Sequence, residues 1–311
     1  MWQRLWRTSP ELIATAALMV VVLAGALVGL AIDSRVITGA PAWLKPAKFA
    51  VSIAIYTVTL AWIFTLLPEW PWMRRVIGWV TALTMVLEMT IIGTQAWRGT
   101  TSHFNVGTPL DAVLFLIMGG AIVMQTLSTI VVAVALWRHR FEDVSLGRAL
   151  QFGMSITIAG ALTGGLMTRP TDAQLEAARA GERMTISGAH TVGAPDGGPG
   201  LPGTGWATEH GDLRVPHFIG LHAVQGLPLL VLLLTRAGIG RVPRARAMLV
   251  AGPSYAALCV ILLIQAFRGV PLLAPDPATL TQLGTWALAT VIGAGVALRS
   301  HDATGPQIVT I

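Results

Sequence analysis

Histidine, acidic and basic residues crowd into one stretch of the chain, HGDLRVPHFIGLHAVQG at residues 210–226. Imidazole, carboxylate and guanidinium groups together can bind a metal ion, transfer a proton or bind an anion. Phe218, His222 and Gln225 have the i, i+4, i+7 spacing of one helix face, whereas His217 and His222 lie about 140° apart around a helix. We therefore expect a functional role for His222, with Gln225 beside it. For His217, capping the helix entrance at the membrane surface is as well supported as a functional role.

Glu88 is the acidic residue placed well inside an apolar run. Thr81, Thr84, Glu88 and Gln95 fall on one helical stripe, which predicts that the carboxyl group faces the interior of a bundle. An ionisable group inside a membrane costs about 2.5–3.5 kcal/mol on insertion scales and therefore suggests function. We expect Glu88 to be a buried proton acceptor. The alternative is a neutral side chain that hydrogen-bonds to a neighbouring helix.

Two matching stretches, QAWRG at 95–99 and QAFRG at 265–269, end apolar runs with an arginine. The guanidinium groups of Arg98 and Arg268, with that of Arg214, suit a carboxylate or phosphate and are our candidate anion clamps. The alternative is that they reach toward lipid headgroups, as arginines at helix ends commonly do.

These residues lie among apolar segments, since 54% of the 311 residues are hydrophobic and only 12% are charged. Apolar runs of about 20 residues predict membrane-spanning helices, because a helix must satisfy its own backbone hydrogen bonds in lipid. The expected class is an all-α integral membrane protein with eight spans, near residues 12–32, 49–67, 76–97, 110–137, 149–167, 218–235, 247–267 and 278–298.

Arginines concentrate in alternate short loops, for example at Arg74, Arg75 and Arg244, and this predicts that those loops and both termini are cytoplasmic. The expected location is a bacterial inner membrane, and the basic, long apolar N-terminus predicts a retained first span. The same distribution explains the formal charge of +6, so we expect a lipid bilayer and no nucleic acid as partner. Cys259 is the only cysteine, which excludes an internal disulfide and a thiolate cluster.

The chain contains an internal repeat. GALVG at 25–29 matches GALTG at 160–164, and LKPAKF at 44–49 matches LRVPHF at 213–218, as the QAWRG and QAFRG pair also does. The separation grows from 135 residues for the first pair to 169 for the second, which places an insertion in the second half. We predict two parallel four-helix repeats, residues 1–148 and 149–311.

The insertion is a predicted extracytoplasmic lid, residues 168–217, between helices 5 and 6. Thr171 and Gln174 have capping-box spacing and predict a short helix. The following glycine- and proline-rich stretch suits a disordered linker, but its histidines and acids favour a folded lid. We expect this lid to bring together His190, His210 and Asp212 with His222.

The four-plus-four plan and the endings Gln95–Gly99 and Gln265–Gly269 resemble the heme A synthase family, as do SGAH at 187–190 and LHA at 221–223. The resemblance implies eight helices, a loop rich in glycine and histidine between helices 5 and 6, and His222 as a heme ligand. The chain departs from the family where a second-helix histidine is expected, because it has Lys48 and its neighbours there. The fourth and eighth apolar runs contain no histidine, so bis-histidine ligation within those helix pairs is excluded.

Three functions remain open. The first is a membrane-embedded enzyme or redox protein with heme or a divalent metal as candidate cofactor. The candidate catalytic residues of this enzyme are His222, Glu88, His190 and Asp212. The candidate cofactor-binding residues are His222, Gln225, Arg98, Arg268 and Arg214. The candidate metal ligands are His190, His210 and His222. The second is a transporter or flippase for an anionic or amphiphilic small molecule, and the third is a non-catalytic assembly partner.

Overall fold

The computed structural model describes residues 1–299, which are mostly helical. The helices are α1 (Trp2–Thr8), α2 (Pro10–Ile32), α3 (Leu44–Phe64), α4 (Pro71–Arg98), α5 (Pro109–Arg138), α6 (Val144–Met167), α7 (Asp172–Arg179), α8 (Arg214–Leu221), α9 (Ala223–Arg236), α10 (Arg241–Phe267) and α11 (Pro277–Arg299). Two antiparallel pairs of short strands are β1 (Val36–Ile37) with β2 (Ala40–Pro41), and β3 (Thr191–Val192) with β4 (Gly211–Asp212). The end of the predicted second repeat, residues 300–311, lies outside the described part.

Seven of these helices are long and apolar enough to cross a membrane, and α8 with α9 makes an eighth span if the bent pair is counted as one. The predicted class, a helical membrane protein with several spans, is confirmed.

Side chains at the helix starts set where several helices begin. The Thr108 hydroxyl accepts a hydrogen bond from the Asp111 amide at the start of α5, and Asp143 caps α6 in the same way, so α6 begins five residues before the predicted 149.

The helices of the two halves follow the same order of packing. In the first half, α2 packs against α3 and α4, while α5 packs mainly against α4. In the second half, α6 packs against α8, α9 and α10, while α11 packs mainly against α10. Contacts between α5 and α6 join the halves, and the largest apolar cluster, which includes Phe64, Leu136, Leu150 and Val224, spans this junction.

The sixth span differs from the predicted regular helix. It begins at Arg214 and bends by 50° at His222, between α8 and α9. The carbonyl oxygens of Ile219 and Leu221 accept hydrogen bonds from the hydroxyl groups of Tyr255 (2.7 Å) and Thr157 (3.2 Å). These side chains from α10 and α6 therefore supply partners to backbone groups at the bend.

The connections of the bundle divide between two ends. Residues 33–43, 99–108, 168–213 and 268–276 form one end, which we call the loop face. Contacts between these connections show that they share this end, since Gly39 packs against the backbone of Gly197, the Val106 amide donates to the Thr185 carbonyl, and Gly269 lies beside the Val192 carbonyl. Short connections, residues 65–70, 139–143 and 237–240, form the opposite end, and the helix turns beside them are rich in arginine.

Candidate functional site

The long connection, residues 168–213, is folded onto the loop face. Strand β3 pairs with β4, the Val106 amide donates to the Thr185 carbonyl, and the Ser187 amide donates to the Phe104 carbonyl. The predicted lid was placed at 168–217, but residues 214–217 belong to α8. The sixth span therefore starts at Arg214, four residues before the predicted start at 218.

A short helix fastens the start of the long connection. Thr171 and Gln174 form the predicted capping box at α7. The Gln174 side chain also makes hydrogen bonds to the Gly188 amide and carbonyl, both at 3.0 Å. One side chain therefore caps a helix and holds the segment that leads to His190.

His190 and Asp196 form the best-defined polar pair of the loop face. Asp196 accepts hydrogen bonds from His190 Nδ1 at 2.6 Å and from the backbone amides of His190 and Thr191. Because a carboxylate accepts and does not donate, a neutral His190 ring carries its proton on Nδ1 and leaves Nε2 as an acceptor. The His190 ring packs edge-on against Phe104, with 4.8 Å between ring centroids.

Asp212 and Arg214 form a second pair that anchors the end of the long connection. The buried Asp212 carboxylate accepts from the Ala207 amide at 2.7 Å and from the Arg214 amide and guanidinium group. Arg214 also donates to the Gly205 carbonyl, and Lys48 donates to the Thr204 carbonyl at 2.7 Å. Asp212, Arg214 and Lys48 therefore all have hydrogen-bond partners within the protein.

Two further histidines lie near His190: His103, which sequence reasoning did not consider, and His217, for which it left capping and function open. His103, from the connection 99–108, and His217, from α8, are both within electrostatic range of it. His217 Nδ1 donates to the Gly160 carbonyl at 2.7 Å, and the His103 ring contacts Phe49 and Phe104 edge-on. The position of His103 directly after QAWRG, in a loop returning to the same face, was the available sequence signal.

Lys45 completes what we call the histidine–lysine cluster: Lys45, His103, His190, Asp196 and His217. Its ammonium group is within electrostatic range of Asp196 and Glu88, and lies 5.9 Å from the centre of the Phe49 ring. Among the described residues, no hydrogen-bond acceptor or ion-pair partner contacts Lys45. It is therefore the basic side chain of the cluster whose charge the described residues leave without a direct partner.

The predicted metal set is not assembled. Within residues 1–299, no three His, Cys, Asp or Glu side chains form a group that could hold a metal ion. His210 lies beside Gly193 at the strand pair, and the His222 ring packs at a tilt against Phe218 with 4.3 Å between centroids. His190 instead has Asp196 as its direct partner, so His190, His210 and His222 do not fit a common metal ion.

The predicted anion clamps make contacts within the chain. Arg98 pairs with Asp111 at 2.6 Å, and Arg268 pairs with Asp276 at 2.9 Å. In each half the arginine that ends one long helix thus binds the acid at the start of the next. Arg214 is held by Asp212 as described above.

The inward stripe on α4 is confirmed, because Thr81, Thr84, Glu88 and Gln95 are all buried. The Thr84 hydroxyl donates to the Gln125 side chain, which donates to the Tyr56 hydroxyl. Gln225 lies on α9 with its Oε1 buried and without a hydrogen-bond partner in the described part of the chain.

The docking of the long connection should weaken in acid. Burial lowers the pKa of His103 well below its ordinary 6.5, and it lowers the pKa of His190 despite the opposing effect of Asp196. Burial alone would raise the pKa of Asp196, but hydrogen bonds from His190 and its charge hold it well below its ordinary 3.8. All three groups bind protons more readily when unfolded or undocked, so stability falls as the pH drops below 6.5 and falls further near 4.

Hydrogen exchange of residues 185–213, corrected for intrinsic rates, would measure this effect at about pH 7.5 and about pH 5. We expect faster exchange at the lower pH in this segment, with α4 and α6 unchanged. Equal protection of residues 185–213 at both values would contradict the expectation.

The fold and this cluster define a polytopic helical membrane protein with a polar site at one end of its bundle. The chain matches no family model, no curated protein and no solved structure.

Proposed function

We propose that this protein is a membrane-embedded enzyme that transfers a proton to or from a small anionic or amphiphilic compound at the loop face. The observation that carries the proposal is the 2.6 Å bond between His190 Nδ1 and Asp196 beside the unpaired Lys45. A base whose second nitrogen is fixed by a carboxylate is the common arrangement of general-base catalysis.

Each residue of the cluster has a distinct role in this proposal. His190 Nε2 accepts the substrate proton, and Asp196 fixes the ring and stabilises the imidazolium ion that forms. Lys45 attracts the anionic group of the substrate, and Phe49 and Phe104 contact its apolar part. We assign Asp212, Arg98, Arg214 and Arg268 to holding the loop face together, because the chain already occupies their polar groups. The proposal includes no heme or metal.

The common packing order of the two halves supports a duplicated four-helix plan. The proposal keeps this plan and its resemblance to the architecture of the heme A synthase family. The arginines in the helix turns at the opposite end support a cytoplasmic location for that end and for the N-terminus. The loop face would then be extracytoplasmic in a bacterial inner membrane, and the substrate would enter from that side or from the bilayer.

Proteoliposomes incubated with a bacterial polar extract would test the enzyme. We expect mass spectrometry to find an anionic compound that wild-type protein converts and that His190→Gln converts about 10²–10⁴-fold more slowly. Lys45→Met should raise the KM for that compound more than it lowers kcat, since Lys45 binds and His190 reacts.

His210→Gln is the matched control, because His210 lies in the same long connection beside Gly193, and the hydrogen bonds to Asp196 in the described chain come from His190 and Thr191. It should convert the compound at the wild-type rate. The proposal fails if wild-type protein converts nothing in the extract, or if His190→Gln is as active as His210→Gln.

A transporter is the second candidate, and the 50° bend at His222 favours it. Broken spans often surround the substrate site of transporters. The buried Gln225 Oε1 and the His222 ring lie at this bend. In the same vesicles, a compound that crosses the membrane unchanged in a Gln225-dependent manner would support transport over catalysis.

A further inference from the structure

Glu88 is the most unusual polar side chain inside the bundle. It is only 2% exposed, and neither carboxyl oxygen has a hydrogen-bond partner among the described residues. Met85 and Met89 precede and follow it on α4, in an apolar cluster with Met19 and Ile53. A charged carboxylate in such surroundings is costly, whereas a protonated carboxyl group is far less so.

Within residues 1–299, the helices packed against α4 bring one charged group, Lys45 of α3, within electrostatic range of Glu88, and the two form no ion pair. On α2 the acidic residue is Glu11, which lies near Gly78 at the arginine-rich end, and on α5 it is Asp111, which is occupied by Gln95 and Arg98. Lys48 of α3 is bound to Thr204.

Lys45 is also within electrostatic range of Asp196 and Arg214 on the loop face. Its charge therefore acts on Glu88 and on the histidine–lysine cluster together. A positive charge near a carboxyl group favours loss of the proton, so any change at Lys45 alters the proton affinity of Glu88.

We propose that Glu88 is a reversible proton-binding site within the membrane bundle, linked to the loop face through Lys45. The reaction is simple protonation: the carboxylate takes one proton from solvent at the loop face and returns it there. An anion bound at Lys45 would offset the ammonium charge and favour the protonated carboxyl group. This inference does not require His190 to be catalytic.

Dicyclohexylcarbodiimide provides the test, because this apolar reagent adds to protonated carboxyl groups in membranes and leaves a stable acylurea. The purified full chain in detergent would be treated over a range of pH and mapped by mass spectrometry. We expect modification of Glu88 at low pH that declines about tenfold per pH unit once the pH passes the titration midpoint. The exposed Glu142 should remain unmodified, and Glu88→Gln should lose the label.

Two variants make the result specific. Lys45→Met should retain labelling at Glu88 to a higher pH, because the charge that favours deprotonation is gone. His190→Gln should leave the labelling profile unchanged, which separates this inference from the proposed enzyme. The inference is overturned if folded wild-type protein is not labelled at Glu88, if the labelling does not vary with pH, or if Lys45→Met leaves its pH profile unchanged.

Discussion

Replacing Gly160 by alanine should destabilise the protein by about 1–3 kcal/mol, while Gly25→Ala should cost almost nothing. A Cβ atom at Gly160 would lie 2.7 Å from the backbone of Gly220 and Leu221, because α6 and α8 meet backbone to backbone there. Neither side of this contact is a flexible side chain, so the helices themselves must separate. The Gly160 carbonyl also accepts the His217 hydrogen bond, so the histidine should move with α8.

Gly25 is the matched control because it occupies the equivalent place in the GALVG and GALTG pair. A Cβ atom there meets nothing within 4 Å, and alanine favours the helix by roughly 0.5–1 kcal/mol over glycine. Denaturant unfolding of both variants in one detergent measures the difference. Equal stability of Gly160→Ala and Gly25→Ala would show that the close approach of α6 and α8 is not needed.

The second large effect is expected at Asp212. Asp212→Ala should cost about 1–3 kcal/mol, because the Ala207 amide loses its acceptor and the Arg214 guanidinium group keeps only the Gly205 carbonyl. The loss should be local at first, with residues 200–213 undocking from the loop face. Hydrogen exchange in this segment and the Tm of the protein in detergent are the measurements.

Glu209→Ala serves as the control, since Glu209 is an exposed acid three residues away in the same segment. Its replacement should change stability by no more than about 0.5 kcal/mol. If Asp212→Ala were as mild as Glu209→Ala, the ion pair with Arg214 would not anchor the long connection.

Features that depend on neighbouring residues were predictable from the sequence. The apolar runs predicted the spans, since length and composition alone decide whether a helix can cross lipid. The capping box at Thr171 followed from hydrogen bonds over three residues. The inward stripe containing Glu88 followed from helical periodicity.

Features that depend on distant residues were missed. The bend at His222 rests on hydroxyl groups of Tyr255 and Thr157, which no local pattern places beside the sixth span. A regular helix through this region predicted a shared face for Phe218, His222 and Gln225. The helix is bent there, but the three side chains remain neighbours, since the His222 ring contacts Phe218 and interacts with the Gln225 side chain. His103 joined the cluster because the connection 99–108 pairs with residues 185–187 from the other half.

The arginines illustrate a partial success. Sequence reasoning recognised Arg98 and Arg268 as helix-ending bases. It did not join them to Asp111 and Asp276 at the starts of the following helices, although consecutive helices must turn at the same end of the bundle. That rule of connectivity was enough to predict the two ion pairs.

Helix α11 has a consequence for how the protein responds to its lipid. Only 6% of its apolar window is buried, and it packs mainly against α10. Interlocking side chains therefore do little to fix its angle, and the thickness of the surrounding hydrocarbon becomes the controlling variable. In a thicker bilayer this helix would stand more upright, while the tightly packed helices near the histidine–lysine cluster keep their orientation.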